Sequence, residues 1–217
     1  GSEVSLGELM ASGERNVSVW SLDERLRLVP RIMTHAFPSG TKEVFRVRLT
    51  SGREVHATAN HPFLTLDGWV RLGSLSPQSR VAIPRQVPAP LHARELPEPE
   101  IIMLAHLLGD GSFVKNQQIR YASTDEANLA AVTQAARHFG ITAIRDENEA
   151  ARCTTLRLPA PYRLARGRRN PIAAWLRSMG LFGLRSHEKF IPPRISSLSQ
   201  TQLALFLRHL WATDGSV

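Results

Sequence analysis

The sequence predicts a mainly-β domain over residues 1–85 and an α/β domain over residues 101–217, joined by a proline-rich linker at residues 86–100. Three observations carry this expectation. Up to residue 85, short runs rich in β-branched and aromatic residues alternate with turn sequences. Residues 84–100, PRQVPAPLHARELPEPE, hold five prolines, a density that helix interiors and central strands do not accommodate. Beyond them, helix-period segments alternate with short strand-like ones.

In the first part, LGELM (6–10) predicts a short helical turn. NVSVWSLD (16–23), RLRLVPRIMTHAF (25–37), EVFRVRLTSG (43–52) and EVHATANHPFLT (54–65) predict strands. The turn signals SLDER, PSGT, TSGR and LDGW fall between or after them, a spacing that favours a compact all-β domain over βαβ units. In the second part, ELPEPEIIMLAHLLGDGS predicts a helix stopping at Gly109 and Gly111, and KNQQIRYAS (115–123) a strand. STDEANLAAVTQAARHFG (123–140) predicts a helix with Ser123 and Glu126 in capping-box spacing. CTTLRLPA (153–160) predicts a strand. NPIAAWLRSMG (170–180) predicts a helix capped by Asn170 and opened by Pro171, and SLSQTQLALFLRHLWATDGS (197–216) a last helix.

A chain of 217 residues, 42% of them apolar, can bury a sizeable core. The one cysteine, Cys153, excludes a disulfide framework, fits a reducing compartment, and reads as a small buried residue at a strand start. No apolar run reaches membrane-spanning length, and residues 1–30 lack a secretory pattern. A soluble, cytoplasmic protein is expected. The formal charge of +8 sits mostly in residues 101–217, with 15 Lys+Arg against 8 Asp+Glu. Such a basic block points to a polyanion, most simply nucleic acid.

An internal echo adds chemistry. LAHLLGDGS (104–112) and FLRHLWATDGS (206–216) are both apolar helices ending in Asp-Gly-Ser, with Asp110 and Asp214 104 residues apart. Two unrelated helices ending in turn-prone Asp-Gly would give the same echo. If instead the helices pack side by side, Ala105 and Gly109 permit close approach and the two aspartates meet. Adjacent carboxylates repel unless a divalent cation lies between them, and oxygen ligands suit Mg²⁺. Beside a basic surface, metal-assisted phosphodiester hydrolysis is the chemistry expected.

These helices resemble the paired signature helices of LAGLIDADG (DOD-type) homing endonucleases, and LFGLRSHEKFIPPRI (181–195) resembles a further motif of the intein-borne members. TANH (58–61) resembles the T-x-x-H block of inteins, and GWVRLGSL (68–75) resembles the usual continuation of that block. The resemblance covers nearly the whole chain and extends to inteins of actinobacterial replicative DNA helicases. It implies a Hint-type, horseshoe-shaped splicing domain, incomplete here, then an endonuclease domain of αββαββα repeats whose second repeat is truncated.

The resemblance also implies roles. His61 is the proton donor to the scissile amide at the N-terminal splice junction, Thr58 its hydrogen-bonding partner, and Asn60 fixes the turn. Asp110 and Asp214 hold Mg²⁺ and Lys189 is the supporting catalytic cation. Lys115 and Arg120 on one strand, and Arg152 and Arg157 on the next, contact double-stranded DNA. The basic loop RLARGRRN (163–170) contacts phosphate rather than reading sequence. The flanking host segments, of a replicative helicase, are the other partners.

The chain departs from the pattern. Gly1–Ser2–Glu3 reads as the middle of a hairpin rather than a splice junction, and the C-terminal His-Asn pair is missing, so the chain is expected to be an internal fragment that neither splices nor cuts alone. His209 stands where the second signature helix usually carries a small residue. His106 and His209 read as packed or rim residues rather than metal ligands. A catalytically dead, DNA-binding relict is the alternative. A non-splicing autoprocessing domain accounts less well for the Asp-ended helices and the EKFIP segment.

Overall fold

The structure, a computed structural model, describes residues 4–91, 93–146, 152–165 and 167–214. The chain divides into two compact units, one running to Pro88 and the other from Ala89.

The first unit opens with α1 (Leu6–Ser12). Ser5 and Glu8 cap it reciprocally, and Gly13 ends it in the left-handed conformation at φ 66°. Three antiparallel hairpins come next: β1 (Val17–Leu22) with β2 (Leu28–Met33), β3 (Val44–Arg48) with β4 (Glu54–Thr58), and β5 (Pro62–Thr65) with β6 (Gly68–Arg71). Residues 54–65, expected as one strand, are therefore two. His61 N–H donates to the Thr58 carbonyl at 2.9 Å and closes a turn, and Pro62, lacking an N–H, stands at the first position of the next strand. The strand expected over 25–37 is likewise shorter, beginning after a turn that holds Leu26 at φ 58°. Leu9 and Ala57 are the buried apolar side chains of this unit among the described residues, while Leu66, Trp69 and Val44 lie exposed.

The second unit runs α2 (Glu98–Gly109), β7 (Gly111–Ser112), β8 (Arg120–Ser123), α3 (Glu126–His138), β9 (Ile144–Asp146), β10 (Thr154–Arg157), α4 (Pro171–Ser178) and α5 (Gln200–Asp214). Its antiparallel sheet has the order β7-β8-β10-β9. The large buried core joins α2 (Ile101, Met103, Leu104, Leu107), sheet residues Tyr121 and Leu156, α3 (Leu129, Val132), α4 (Ile172, Leu176) and Phe206 of α5.

Several boundaries differ from the sequence expectation for local reasons. The expected linker reaches residue 100, but α2 begins at Glu98, because Pro99 in the first turn replaces an N–H that has no helical partner. Just before it, Leu96 is clamped by both ends of the Gln202 amide, at 3.2 and 2.7 Å. Ser123 is not the cap of α3. Asp125 accepts from the N–H groups of Ala127 (2.7 Å) and Asn128 (3.4 Å), leaving Glu126 to bind the Arg145 guanidinium at 2.6 and 2.8 Å. The strand expected over 115–123 begins only at Arg120, since Asn116 takes φ 63° and breaks the extended run; Lys115 is therefore a loop residue. The strand expected over 153–160 spans Thr154–Arg157, so Arg152 precedes it, and Cys153, expected to be buried, is exposed. Among the described residues no helix is long and apolar enough to cross a membrane.

Candidate functional site

Thr58, the half-buried last residue of β4, donates its hydroxyl to the Asn60 side-chain oxygen at 2.7 Å. Leu72 N–H donates to the His61 carbonyl at 2.9 Å and Gly73 N–H to that of Ala59 at 2.8 Å, so the turn is anchored from the segment after β6. The exposed His61 imidazole meets the Phe63 ring edge-on at 5.3 Å between centroids. A solvent-open imidazole on a pinned backbone can pass a proton to a group brought against it. Thr58, Asn60 and His61 are thus brought together on one turn.

The second candidate lies at the C-terminal ends of α2 and α5, which pack side by side and approach closely at Gly109. A Cβ there would fall inside the Thr213 side chain. The 104-residue echo pairs Ala105 with His209 and Gly109 with Thr213, so α2 carries the small residue of each pair and α5 the larger one. Close approach therefore survives, although α5 lacks small residues at both positions. Asp110 is the C-cap of α2, its N–H donating to the His106 carbonyl at 3.1 Å, and Asp214 is the last residue of α5.

Lys189 is drawn to this end of α2. Its ammonium donates to the carbonyls of Leu107 (3.0 Å), Leu108 (3.1 Å), Gly109 (3.2 Å) and Gly111 (2.7 Å), and lies 5.0 Å from the Phe113 ring centroid. A cation on the carbonyls that a helix leaves unpaired, at the negative end of its dipole, fixes the turn that carries Asp110. With those carbonyls engaged, the hard oxygen donors that the sequence supplies at the two helix ends are the aspartates. That donor set fits Mg²⁺, which keeps several waters or phosphate oxygens among its ligands. Among the described residues no three His, Cys, Asp or Glu side chains gather as a metal cage.

Between the two helices runs a polar chain, buried at Tyr121 and His106 and half-buried at His209, that the sequence did not reveal. Tyr121 Oη lies 3.0 Å from His106 Nδ1, and His106 Nε2 lies 3.0 Å from His209 Nδ1. Burial, then repulsion from a charged His209, pushes the His106 pKa down to about 4, against a smaller upward pull from Asp125. Burial, with Arg208 nearby, lowers that of His209. Both rings are neutral at pH 7, and each shared bond needs one donor and one acceptor. The only signal in the sequence was that both histidines lie about one turn before their aspartates. Asn128 was also missed: its amide donates to the Ala212 carbonyl at 2.9 Å and ties α3 to α5.

Of the four basic residues expected to touch DNA, the sheet brings two together. Arg120 on β8 stands directly opposite Arg157 on β10. Arg157 donates to the Asp146 carboxylate at 2.7 Å, which offsets its charge. Lys115 and Arg152 lie off the strands.

Residues 99–170 match the model of a LAGLIDADG-like domain. The whole chain aligns with the replicative DNA helicase DnaB of Rhodothermus marinus, 40% identical over 220 residues and 23% of that protein. It aligns also with the DnaB helicase of Synechocystis sp., 35% identical over 219 residues, 100% of this chain and 25% of that protein. The chain thus spans about a quarter of the length of these relatives. A solved structure of the Ssp DnaB mini-intein variant M86 is 36% identical, covering 39% of this chain and 52% of that one, with a TM-score of 0.36. By these similarities the chain resembles a segment of replicative DNA helicases and carries a match to a LAGLIDADG-like domain.

Proposed function

We propose that the chain is the trunk of an intein combining autocatalytic splicing with site-specific cleavage of double-stranded DNA, its flanking host segments being those of a replicative helicase. The observation that carries this reading is the pinned turn holding Thr58, Asn60 and His61, in a chain whose second unit ends two packed helices in Asp110 and Asp214.

At the N-terminal junction, a side-chain oxygen or sulfur of the junction residue attacks the preceding carbonyl. The C–N bond breaks, a C–O or C–S ester bond forms, and the released nitrogen must gain a proton. His61 donates that proton, a contribution of about 10²–10⁴-fold in such reactions. Thr58 orients the scissile amide, exchanging its bond to Asn60 for one to the substrate.

In the second unit, Arg120 and Arg157 on the sheet, with Lys115 and Arg152 in the flanking loops, contact DNA phosphates. Asp110 and Asp214 would hold Mg²⁺, which supplies Lewis-acid stabilisation of charge on the phosphodiester. Lys189 acts through the backbone: by binding four carbonyls it fixes the direction of the Asp110 turn.

The test uses the intein expressed from its source gene together with its flanking host segments. Ligation of the flanking segments is followed by mass, with His61→Ala alongside, and cleavage of a plasmid carrying the uninterrupted host gene is followed with Asp110→Asn. Ligation that stalls at the N-terminal junction in His61→Ala supports the splicing assignment; flanks that stay attached in both proteins overturn it. DNA bound but never cut, with or without Asp110→Asn, makes the second unit a binding relict.

A further inference from the structure

The second unit holds a cavity of about 770 Å³, lined by residues 115–119, by residues of the 158–165 and 168–170 stretches, by α4 and by Phe182, with neither Asp110 nor Asp214 among the described residues of its lining. That volume lies in the range of sites for organic ligands, and is far too small for a duplex. Its floor is apolar, formed by Ile119, Leu158 and Ala173. Four cations line it, Lys115, Arg168, Arg169 and Arg177, and no Asp or Glu does so among the described residues. None of the four takes part in an ion pair among the described residues, so their charge is left for a ligand.

Two of these cations, both exposed to solvent on one side, lie over aromatic rings. The Arg168 guanidinium carbon lies 3.9 Å from the Tyr162 ring centroid, and that of Arg177 lies 4.1 Å from the Phe182 centroid. Tyr162 is itself fixed, its hydroxyl donating to the Arg169 carbonyl at 2.7 Å. A guanidinium lying on an aromatic ring keeps its outer face free to stack on a second flat ring, and its N–H edge free for an anion. The Lys115 stem passes over Gly183, where an added Cβ would lie 3.1 Å from it and where φ is 95°. The absent side chain is what lets that stem lie along the cavity wall.

An apolar floor, stacked guanidinium planes and uncompensated positive charge together recognise a flat aromatic ring joined to a phosphate. We infer that this cavity binds a nucleotide, either free or as one unpaired nucleotide of a DNA strand. Base stacking and backbone cations are the general means of holding single-stranded nucleic acid, and a base must leave its duplex to enter a cavity of this size. Such binding needs neither splicing nor cleavage to occur, so its failure leaves the proposed function standing.

The test is calorimetric titration of the full chain with deoxyadenosine monophosphate, inorganic phosphate and deoxyadenosine. Saturable binding of the nucleotide, at least tenfold tighter than phosphate or nucleoside, is expected, with a tenfold or greater loss in Arg168→Ala and in Arg169→Ala. Both side chains are exposed, and circular dichroism checks that the variants remain folded. Competition then separates the sources. A short single strand that displaces the mononucleotide identifies the ligand as a strand nucleotide; a strand that does not, beside a tightly bound mononucleotide, identifies a free one. Absent binding, equal binding of phosphate, or binding indifferent to both substitutions overturns the inference.

Discussion

Lys189 shows how much one side chain can organise. A lysine ammonium has three protons and here meets four backbone oxygens, three of them among the last carbonyls of α2. Lys189→Met keeps the stem and removes the charge, leaving those half-buried carbonyls short of donors. Hydrogen bonds to charged groups contribute about 1.5–3 kcal/mol each where partly buried, but these share three protons, so a total loss of about 2 kcal/mol is expected. A urea titration followed by tryptophan fluorescence measures it. Lys189→Arg is expected not to restore the midpoint, because a planar guanidinium cannot converge on oxygens arranged around one point. An unchanged midpoint in Lys189→Met would place the ammonium's role elsewhere. The motif around Lys189 was legible in the sequence through resemblance, but its partners were not: they lie about 80 residues away and are backbone atoms, which no residue type encodes. Cys153 was misread for a related reason. Residue type favours burial, yet its position one residue before the strand start leaves it exposed.

For the helix pair, the sequence carried the small residues and the aspartates but not the polar chain between them. Periodicity identifies which positions face inward; it does not say that two inward-facing histidines and a tyrosine will find one another. Their burial has a pH consequence. The unfolded histidine titrates near 6.5 and folded His106 near 4, so the unfolded state binds more protons between these values. The contribution is fully present above pH 6.5 and is lost as pH falls towards 4, by about 3 kcal/mol for a shift of this size. His209 shifts in the same direction and adds to the loss. Stability measured across pH 7 to 4 should fall, and the triple variant His106→Leu, His209→Leu, Tyr121→Phe should fall less steeply, since it replaces all three partners together. Equal slopes would remove the histidines from the account. The close approach makes a separate prediction. Gly109→Ala forces a Cβ into Thr213 and is expected to cost about 1–3 kcal/mol, with Thr213→Gly recovering part of it in the double variant. Additive effects in that cycle would mean that the helices can simply move apart.

Taken whole, the molecule places its charge unevenly, and that asymmetry was legible from the sequence because charge counts need no geometry. Which cations act was not legible, because partners decide it. Arg120 and Arg157 face each other across the sheet and look equivalent by position, yet Asp146 holds Arg157 at 2.7 Å, while Arg120 is in no ion pair among the described residues. Binding to DNA releases counterions in proportion to the phosphates neutralised, so the logarithm of the association constant falls linearly with that of salt concentration. A fully charged contact contributes about one unit to that slope. Arg120→Ala should therefore reduce the slope by about one. Arg157→Ala should reduce it by less, because its charge is already largely engaged by the Asp146 carboxylate rather than by phosphate. The same logic predicts that Asp146→Asn steepens the slope and raises affinity at low salt, by freeing the Arg157 charge for the strand. Fluorescence anisotropy on one labelled duplex at several salt concentrations reads all three variants. Equal reductions for the two arginines, or an Asp146→Asn slope no steeper than that of the unaltered chain, would mean that the strand does not lie along this pair and that the basic loops outside the sheet carry the DNA.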